Sequence, residues 1–264
     1  YGKGYERDDG YLPGGSDDDS RRGQGGFRLD HLDRDESLTV QGAYDRGLHK
    51  GVRDLLDISS RDAFLQAQWQ RKTSDRSELA FNGYYARTDF DSPVAGENRD
   101  TGEINLQYTF EPLTRVQVVA GGQYRVTSDE VQNSLILALD PTERTDALFG
   151  GFLQGRVHLV PDELELRLAG RIERNDYSDF EFQPEVALTW NAAPNSVVWG
   201  SISRAIRIPS RLENDFVFTD PAAGMTFRGN RNLDAESLVA YEAGYRSILD
   251  TELSLDTTIF LHRY

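Results

Sequence analysis

Along most of the chain, apolar and polar residues alternate with period two, the pattern of strands that bury or cover one face only. In Asp162–Asp176 the residues Leu164, Leu166, Leu168, Gly170 and Ile172 share one face, and Glu163, Glu165, Arg167, Arg171 and Glu173 the other. Ile104, Leu106, Tyr108 and Phe110 oppose Glu103, Asn105 and Gln107; Ala63, Leu65, Ala67 and Trp69 oppose Gln66, Gln68 and Gln70; Val186, Leu188 and Trp190 oppose Gln183, Glu185 and Thr189. Comparable runs lie near 25–33, 36–45, 76–90, 113–126, 145–159, 196–206, 236–248 and 252–264. Helical three-four spacing is nowhere sustained, so the pattern predicts an all-β chain.

The connections carry the next layer of information. Short turns are expected at Leu32–Glu36, Lys72–Arg76, Glu111–Thr114, Pro161–Glu163, Asn191–Asn195 and Leu249–Thr251. Between them fall segments rich in Asp, Gly, Ser and Arg near 8–24, 46–60, 90–100, 127–144, 175–180 and 207–234. Short and long connections alternate, which in an up-and-down sheet puts tight turns at one end and long loops at the other, as in outer-membrane barrels. Strands of roughly 9–15 residues exceed the ~5–6 usual in globular sheets and suit a tilted membrane crossing of ~9–11. Phe110, Trp190 and Tyr245 fall near the short-turn ends, where an interfacial aromatic girdle belongs. The expectation is therefore an antiparallel up-and-down transmembrane β-barrel, present as an incomplete barrel or curved sheet of about 12 strands. A soluble β-sandwich or propeller also alternates but does not predict one-sided loop lengths. Pattern leaves open whether a barrel of about twelve strands closes on itself or the chain is part of a barrel of about 22.

Composition changes the picture less than it first suggests. The 264 residues carry 44 Asp+Glu against 29 Lys+Arg, a net charge of -15, and mean hydropathy is -0.58. No stretch approaches the ~20 apolar residues of a membrane helix, yet a barrel strand needs apolar residues only at alternate positions. Much of the excess acid lies in the expected outer segments, as at Asp8, Asp9, Asp17, Asp54, Asp129 and Glu213. The acidity argues against nucleic acid as a partner, because phosphate binding rests on Lys and Arg. Absence of Cys removes disulfides and thiolate chemistry. His31, His49, His158 and His262 stand singly, without metal-site spacing, no Walker-type or Gly-x-Gly-x-x-Gly loop occurs, and no catalytic residues, metal or cofactor are expected. Asp17-Asp18-Asp19 is a solvated acidic run or, as an alternative, a calcium ligand set; it lacks EF-hand spacing.

Two blocks carry a resemblance. Val197–Ser210 reads VVWGSISRAIRIPS: an aromatic-led strand, a Ser-Arg-Ala-aliphatic-Arg run containing Ser203 and Arg204, then Pro209 opening a long loop. Gly229–Arg246 reads GNRNLDAESLVAYEAGYR, in which Gly229, Asn230, Leu233, Glu236, Tyr241, Glu242, Gly244 and Arg246 match a Gly-Asn-Pro-x-Leu-x-x-Glu … Tyr-Glu-x-Gly-x-Arg pattern, with Arg231 where Pro is usual. In order and spacing these blocks resemble TonB-dependent outer-membrane receptors, and weaker echoes extend over nearly the whole chain. The resemblance implies TonB-dependent active uptake of a nutrient chelate, most commonly a ferric siderophore, across a Gram-negative outer membrane. It implies as partners an N-terminal plug domain preceding Tyr1, the TonB energy-transducing complex acting through that plug, a ferric chelate or similar ligand, and outer-membrane lipid. Further barrel strands should follow Tyr264, since the chain ends within an alternating run and opens without a signal peptide. A passive porin or adhesin-type barrel, or a soluble β-rich binding module, are the alternatives.

Within the blocks, Pro209 fixes φ and removes a donor where a strand leaves its ladder. Gly229-Asn230 is expected to turn the loop back through positive φ. Glu236 and Glu242 are candidate partners of Arg204, Arg207 or Arg246. The blocks are read chiefly as conformational determinants of one large loop, with Arg207, Arg211, Asn230 and Arg231 as candidate substrate contacts.

Overall fold

The computed structural model describes residues 1–7, 19–50, 57–134, 137–220, 222–250 and 253–264. Its strands are β1 (Gly2–Arg7), β2 (Ser20–Leu32), β3 (Glu36–His49), β4 (Ile58–Ser74), β5 (Ser77–Asp91), β6 (Gly96–Leu113), β7 (Val116–Gln132), β8 (Leu137–Leu139), β9 (Glu143–Val160), β10 (Leu164–Asn175), β11 (Asp179–Ala193), β12 (Ser196–Arg207), β13 (Phe216–Asp220), β14 (Met225–Arg228), β15 (Glu236–Asp250) and β16 (Leu253–Arg263), with one helix, α1 (Arg211–Asp215). Thirteen strands form one antiparallel sheet in chain order, interrupted only where β8, β13 and β14 leave it. β1 and β16 are its edges, so the sheet is unclosed.

Among the described residues no hydrophobic side chain is buried. A soluble domain of this length would enclose a core; here the register instead aligns apolar residues across neighbouring strands on one exposed face. Leu168, Val186, Ile202, Tyr241 and Leu261 stand in one cross-strand row. The row one strand-step inward, Arg167, Ala187, Ser201, Glu242, lies on the other face. One face is therefore a continuous apolar belt and the other a polar wall, the division of an outer-membrane barrel between lipid and lumen.

Aromatic residues border the belt. At the short-turn end the Trp69 indole N–H donates to Glu36 (2.8 Å), Trp190 to Glu163 (3.4 Å), and Tyr108 stacks on Phe110 at 5.4 Å. Tyr245 shares a hydrogen bond with Ser196 (3.3 Å). The Trp69, Trp190 and Tyr245 rings thus lie along the apolar belt while their polar atoms reach groups near the turns, as interfacial aromatics require.

Strand lengths depart from expectation at the other end. β6 and β9 each run 18 residues, beyond the ~9–11 that cross a bilayer. The expected long loop at 90–100 shrinks to Ser92–Ala95, closed by Ser92 hydroxyl and backbone bonds to Ala95. Similarly, 175–180 is a tight turn in which the Asn175 side-chain oxygen accepts from the amides of Tyr177 and Ser178, both 2.9 Å. Beyond the apolar belt both strand faces are polar, so alternation fades while backbone pairing continues. β1, which never alternates, pairs residue by residue with β2.

Leu188 lies on the apolar belt, one same-face step inside Trp190, and Gln70 on the polar wall. Leu188→Arg in the full-length protein should destabilise the barrel by ~2–4 kcal/mol in lipid-vesicle unfolding, and Gln70→Arg by much less. Equal losses would contradict this sidedness.

Candidate functional site

At the end opposite the tight turns, two connections fold together. The 133–142 connection contributes β8 and the 208–235 connection contributes α1, β13 and β14; they pair as a second sheet in the order β14-β13-β8. The sequence dictates the entry to this excursion. Pro184 cannot donate from β11, and the β11–β12 ladder ends beside it at Glu185↔Ser203. β12 and β15 continue alone to Arg207↔Glu236. Arg204 spans the gap, donating to the Phe182 carbonyl and to Glu181 (3.2 Å).

Past the buried Pro209, Ser210 caps α1 in a reciprocal box: its hydroxyl accepts from the Glu213 amide (3.2 Å), and the Glu213 carboxylate accepts from the Ser210 amide (2.8 Å). Arg207 donates to the same carboxylate (3.0 Å) and to Glu236 (2.7 Å). The Arg207 guanidinium, then the Ser210 bonds, depress the Glu213 carboxyl from 4.5 to about 2. Arg207 also lowers the Glu236 carboxyl, and the two carboxylates raise the Arg207 pKa in turn.

The centre of the cluster is Asp215, whose side chain has no exposure. It accepts from Arg144 (2.8 Å) and Arg231 (3.0 Å), and its carbonyl accepts from the Asp140 amide (2.9 Å). Arg231 also donates to the Asp140 carbonyl. Arg211, 10% exposed, pairs with Asp129 and donates to the carbonyls of Pro141 (2.8 Å) and Thr142 (3.1 Å). Burial raises the Asp129 carboxyl pKa, opposed by Arg211. Arg144 continues the network to Asp146 (2.6 Å) and lies 4.4 Å over the Tyr177 ring, whose hydroxyl donates to Asp146. Burial, then that carboxylate, push the Tyr177 phenol up. The 208–235 excursion is thus tied to β7, to β9 and to the β10–β11 turn.

Gly229 closes the excursion. A Cβ there would sit 2.5 Å from the Glu213 carbonyl oxygen and 2.7 Å from that of Asn214. Its amide donates to Phe216 (2.7 Å), the Asn230 amide to Glu213 (2.9 Å), and the Asn230 side chain accepts from Asn232 (3.0 Å). Glycine is required for close approach, not for the positive φ expected; among the described residues the only positive-φ glycine is Gly224.

The sequence-predicted residues separate accordingly. Arg207, Asn230 and Arg231 are exposed at the mouth, although both arginines already hold carboxylates, whereas Arg211 is enclosed as a brace. Of the expected ion pairs, Glu236 takes Arg207. The others differ: Arg246 meets Asp256 (2.6 Å), its register partner on β16, Glu242 meets His262 (3.2 Å) diagonally across the same strand pair, and Arg204 meets Glu181 beyond the end of the β11–β12 ladder. Ser203 lines the polar wall, Tyr241 the apolar belt, and Leu233 is half-exposed. Gly244 leaves room for the Trp199 indole, which a Cβ would strike. Asp215, Asp129, Arg144 and Tyr177 were not anticipated; the Ser-x-x-Glu box at Ser210–Glu213 was the local signal available. Asp17 and Asp18 lie outside the described residues, and Asp19 pairs with Lys50 (3.2 Å). Among the described residues no group of three or more His, Cys, Asp or Glu is arranged to hold a metal.

A family model for TonB-dependent-receptor-like β-barrels matches residues 1–264. The chain belongs to the TonB-dependent receptor β-barrel family. Its similarity to individual members is low in sequence and high in fold. It is 21% identical over 212 residues to the iron-regulated outer membrane virulence protein of Vibrio cholerae, covering 80% of this chain and 29% of that protein. It superposes on the siderophore receptor PirA of Pseudomonas aeruginosa with a TM-score of 0.78 at 14% identity, covering 92% of this chain and 46% of PirA. The copper transporter OprC superposes with a TM-score of 0.74 at 13% identity, covering 99% and 48%. The chain therefore spans under half the length of these relatives. It is an outer-membrane β-barrel segment, and β1 and β16 are edges because it represents part of a larger barrel wall.

The folded Glu213 carboxyl titrates below its ordinary value, so its contribution is complete above pH 4.5 and is lost as pH falls toward about 2. In the full receptor, hydrogen-exchange protection of the Gly229 and Asn230 amides should fall across that window, and Glu213→Gln should abolish the dependence. Asp215→Asn should lower protection throughout 208–235 by ~1.5–3 kcal/mol, the scale of hydrogen bonds to a charged group, since Arg144 keeps Asp146 and Arg231 is exposed. Protection indifferent to both would show that these contacts do not hold the loop.

Proposed function

We propose that the protein is a TonB-dependent importer of a nutrient chelate, with this chain supplying part of the barrel wall and two of the ligand-facing outer loops. The observation that carries this is the second sheet: two connections at one end are knit by ion pairs to the buried Asp215 into a folded platform at the long-loop end. A passive pore has no need of one, because diffusion requires an open path and not a folded cover. Family membership supports a coupling to an N-terminal plug and, through it, to the TonB complex. Outer-membrane lipid meets the apolar belt. Arg207, Asn230 and Arg231 are the proposed contacts for an anionic chelate, and Arg211 braces the loop that presents them.

Ferric siderophore is the favoured cargo, supported by the similarity to PirA and to an iron-regulated outer membrane protein. The comparable fold of a copper transporter supplies the second reading, a copper chelate. Disruption of the gene should abolish growth on at least one ferric siderophore as sole iron source, with rescue by the intact gene only in a strain retaining TonB. Unchanged growth on every ferric chelate, with a defect confined to copper-limited medium, would favour the copper reading. Rescue without TonB would favour a passive barrel.

A further inference from the structure

The polar wall is not uniform around its circumference. Below the Glu103–Arg125 pair, the polar face of β3–β6 carries no charged side chain down to Gln70 and Gln107. Its residues are neutral hydrogen-bonding groups, among them Thr39, Gln41, Gln66, Gln68, Asn82 and Gln107. Gln41 donates to Gln66 (2.7 Å) and Gln66 to Asn82 (3.0 Å), and at the β2 border of the sector Thr39 donates to Asp30 (2.7 Å) and Gln41 accepts from Arg28 (3.5 Å). On β9–β11 the wall between the short turns and Glu173 is ionic. Arg156 pairs with Glu165 (3.3 Å), Arg171 with Glu173 (2.9 Å), and Arg167 with Glu185.

We propose that the plug domain is seated on the ionic sector of β9–β11 and leaves a hydrated passage along the amide sector of β3–β6. The inference rests on the importer reading above, which supplies the plug; the chain covers 46% of its solved relative PirA, so the greater part of such a protein lies outside this segment.

The two sectors suit different neighbours. Fixed ion pairs define a charge pattern that one complementary protein surface matches in one register, and mismatched placement is penalised. That chemistry holds a domain in place. An anionic or cationic solute sliding past the same charges would be trapped or repelled by them. Neutral amides offer each passing group a donor and an acceptor, and exchanging such a bond with water changes free energy by only ~0.5–1.5 kcal/mol. A solute or a moving plug segment can therefore travel along them without a deep well.

The test uses the full-length receptor in outer membranes, in a background free of other reactive cysteines. Single replacements Gln68→Cys and Gln107→Cys sample the amide sector, and Ala169→Cys and Ala187→Cys sample the ionic one; all four positions face the polar wall. The probe is a charged, membrane-impermeant methanethiosulfonate. Amide-sector positions should react at least about tenfold faster, corresponding to about 1.4 kcal/mol of shielding at the ionic positions. Fast reaction at all four would mean an unplugged lumen, overturning both the inference and the importer reading. Slow reaction at all four, or faster reaction at Ala169→Cys and Ala187→Cys, would overturn the seating alone and leave the importer intact.

Discussion

Every backbone N–H and C=O within a bilayer must find a partner in the protein, because lipid offers none. In this chain the constraint is met by the antiparallel ladder alone. Neighbouring strands pair in register from β1 to β16, with isolated irregularities near the turns and one early end, the β11–β12 ladder at Glu185↔Ser203. Among the described residues, side chains contribute no enclosed apolar core, so burial within the sheet cannot be what fixes the fold. The ladder fixes it, and the alternation of side chains decides which face meets lipid. Two edges remain, and in the whole barrel they must be paired by strands that this segment does not contain.

Where the chain leaves the membrane the rules change, since water now satisfies backbone groups and side chains must hold the loops. The 208–235 excursion illustrates this with a buried carboxylate, Asp215, shared by arginines from two directions. A buried ion pair is weak as a source of stability but strong as a specifier, since removing one partner strands the other. Here it specifies how two connections distant in sequence meet. The signature residues from Arg207 to Arg231 acquire a common explanation: a cap, a brace, a close-approach glycine and a clamp for one loop.

The sequence made the sheet legible because alternation is a local, repeated signal, and Leu164–Ile172 or Val186–Trp190 reads the same in isolation as in the fold. It misled where alternation and pairing part company. Asn98–Asp100 and Ser128–Glu130 remain in strands although both faces are polar there, and Gly2–Arg7 is a strand with no pattern at all. The candidate site was half legible. Arg207 and Glu236 face one another across the end of the β12–β15 ladder and could be paired from spacing. Asp129 and Arg144 end the neighbouring strands β7 and β9 while Asp215 belongs to a different connection, and only the folded chain shows that they meet. Gly229 is needed for close contact and not for positive φ, a distinction that sequence does not carry.

The central claim is the division of this sheet between lipid and lumen, and the chain's three tryptophans sample it directly. Trp69 and Trp190 lie on the apolar belt, while Trp199 lies on the polar wall against Gly244. In full-length receptors that each keep only one of them, reconstituted into vesicles containing brominated lipid, fluorescence from Trp69 and Trp190 should be strongly quenched and that from Trp199 unaffected. Quenching of Trp199 with Trp69 and Trp190 spared would reverse the faces and contradict the account.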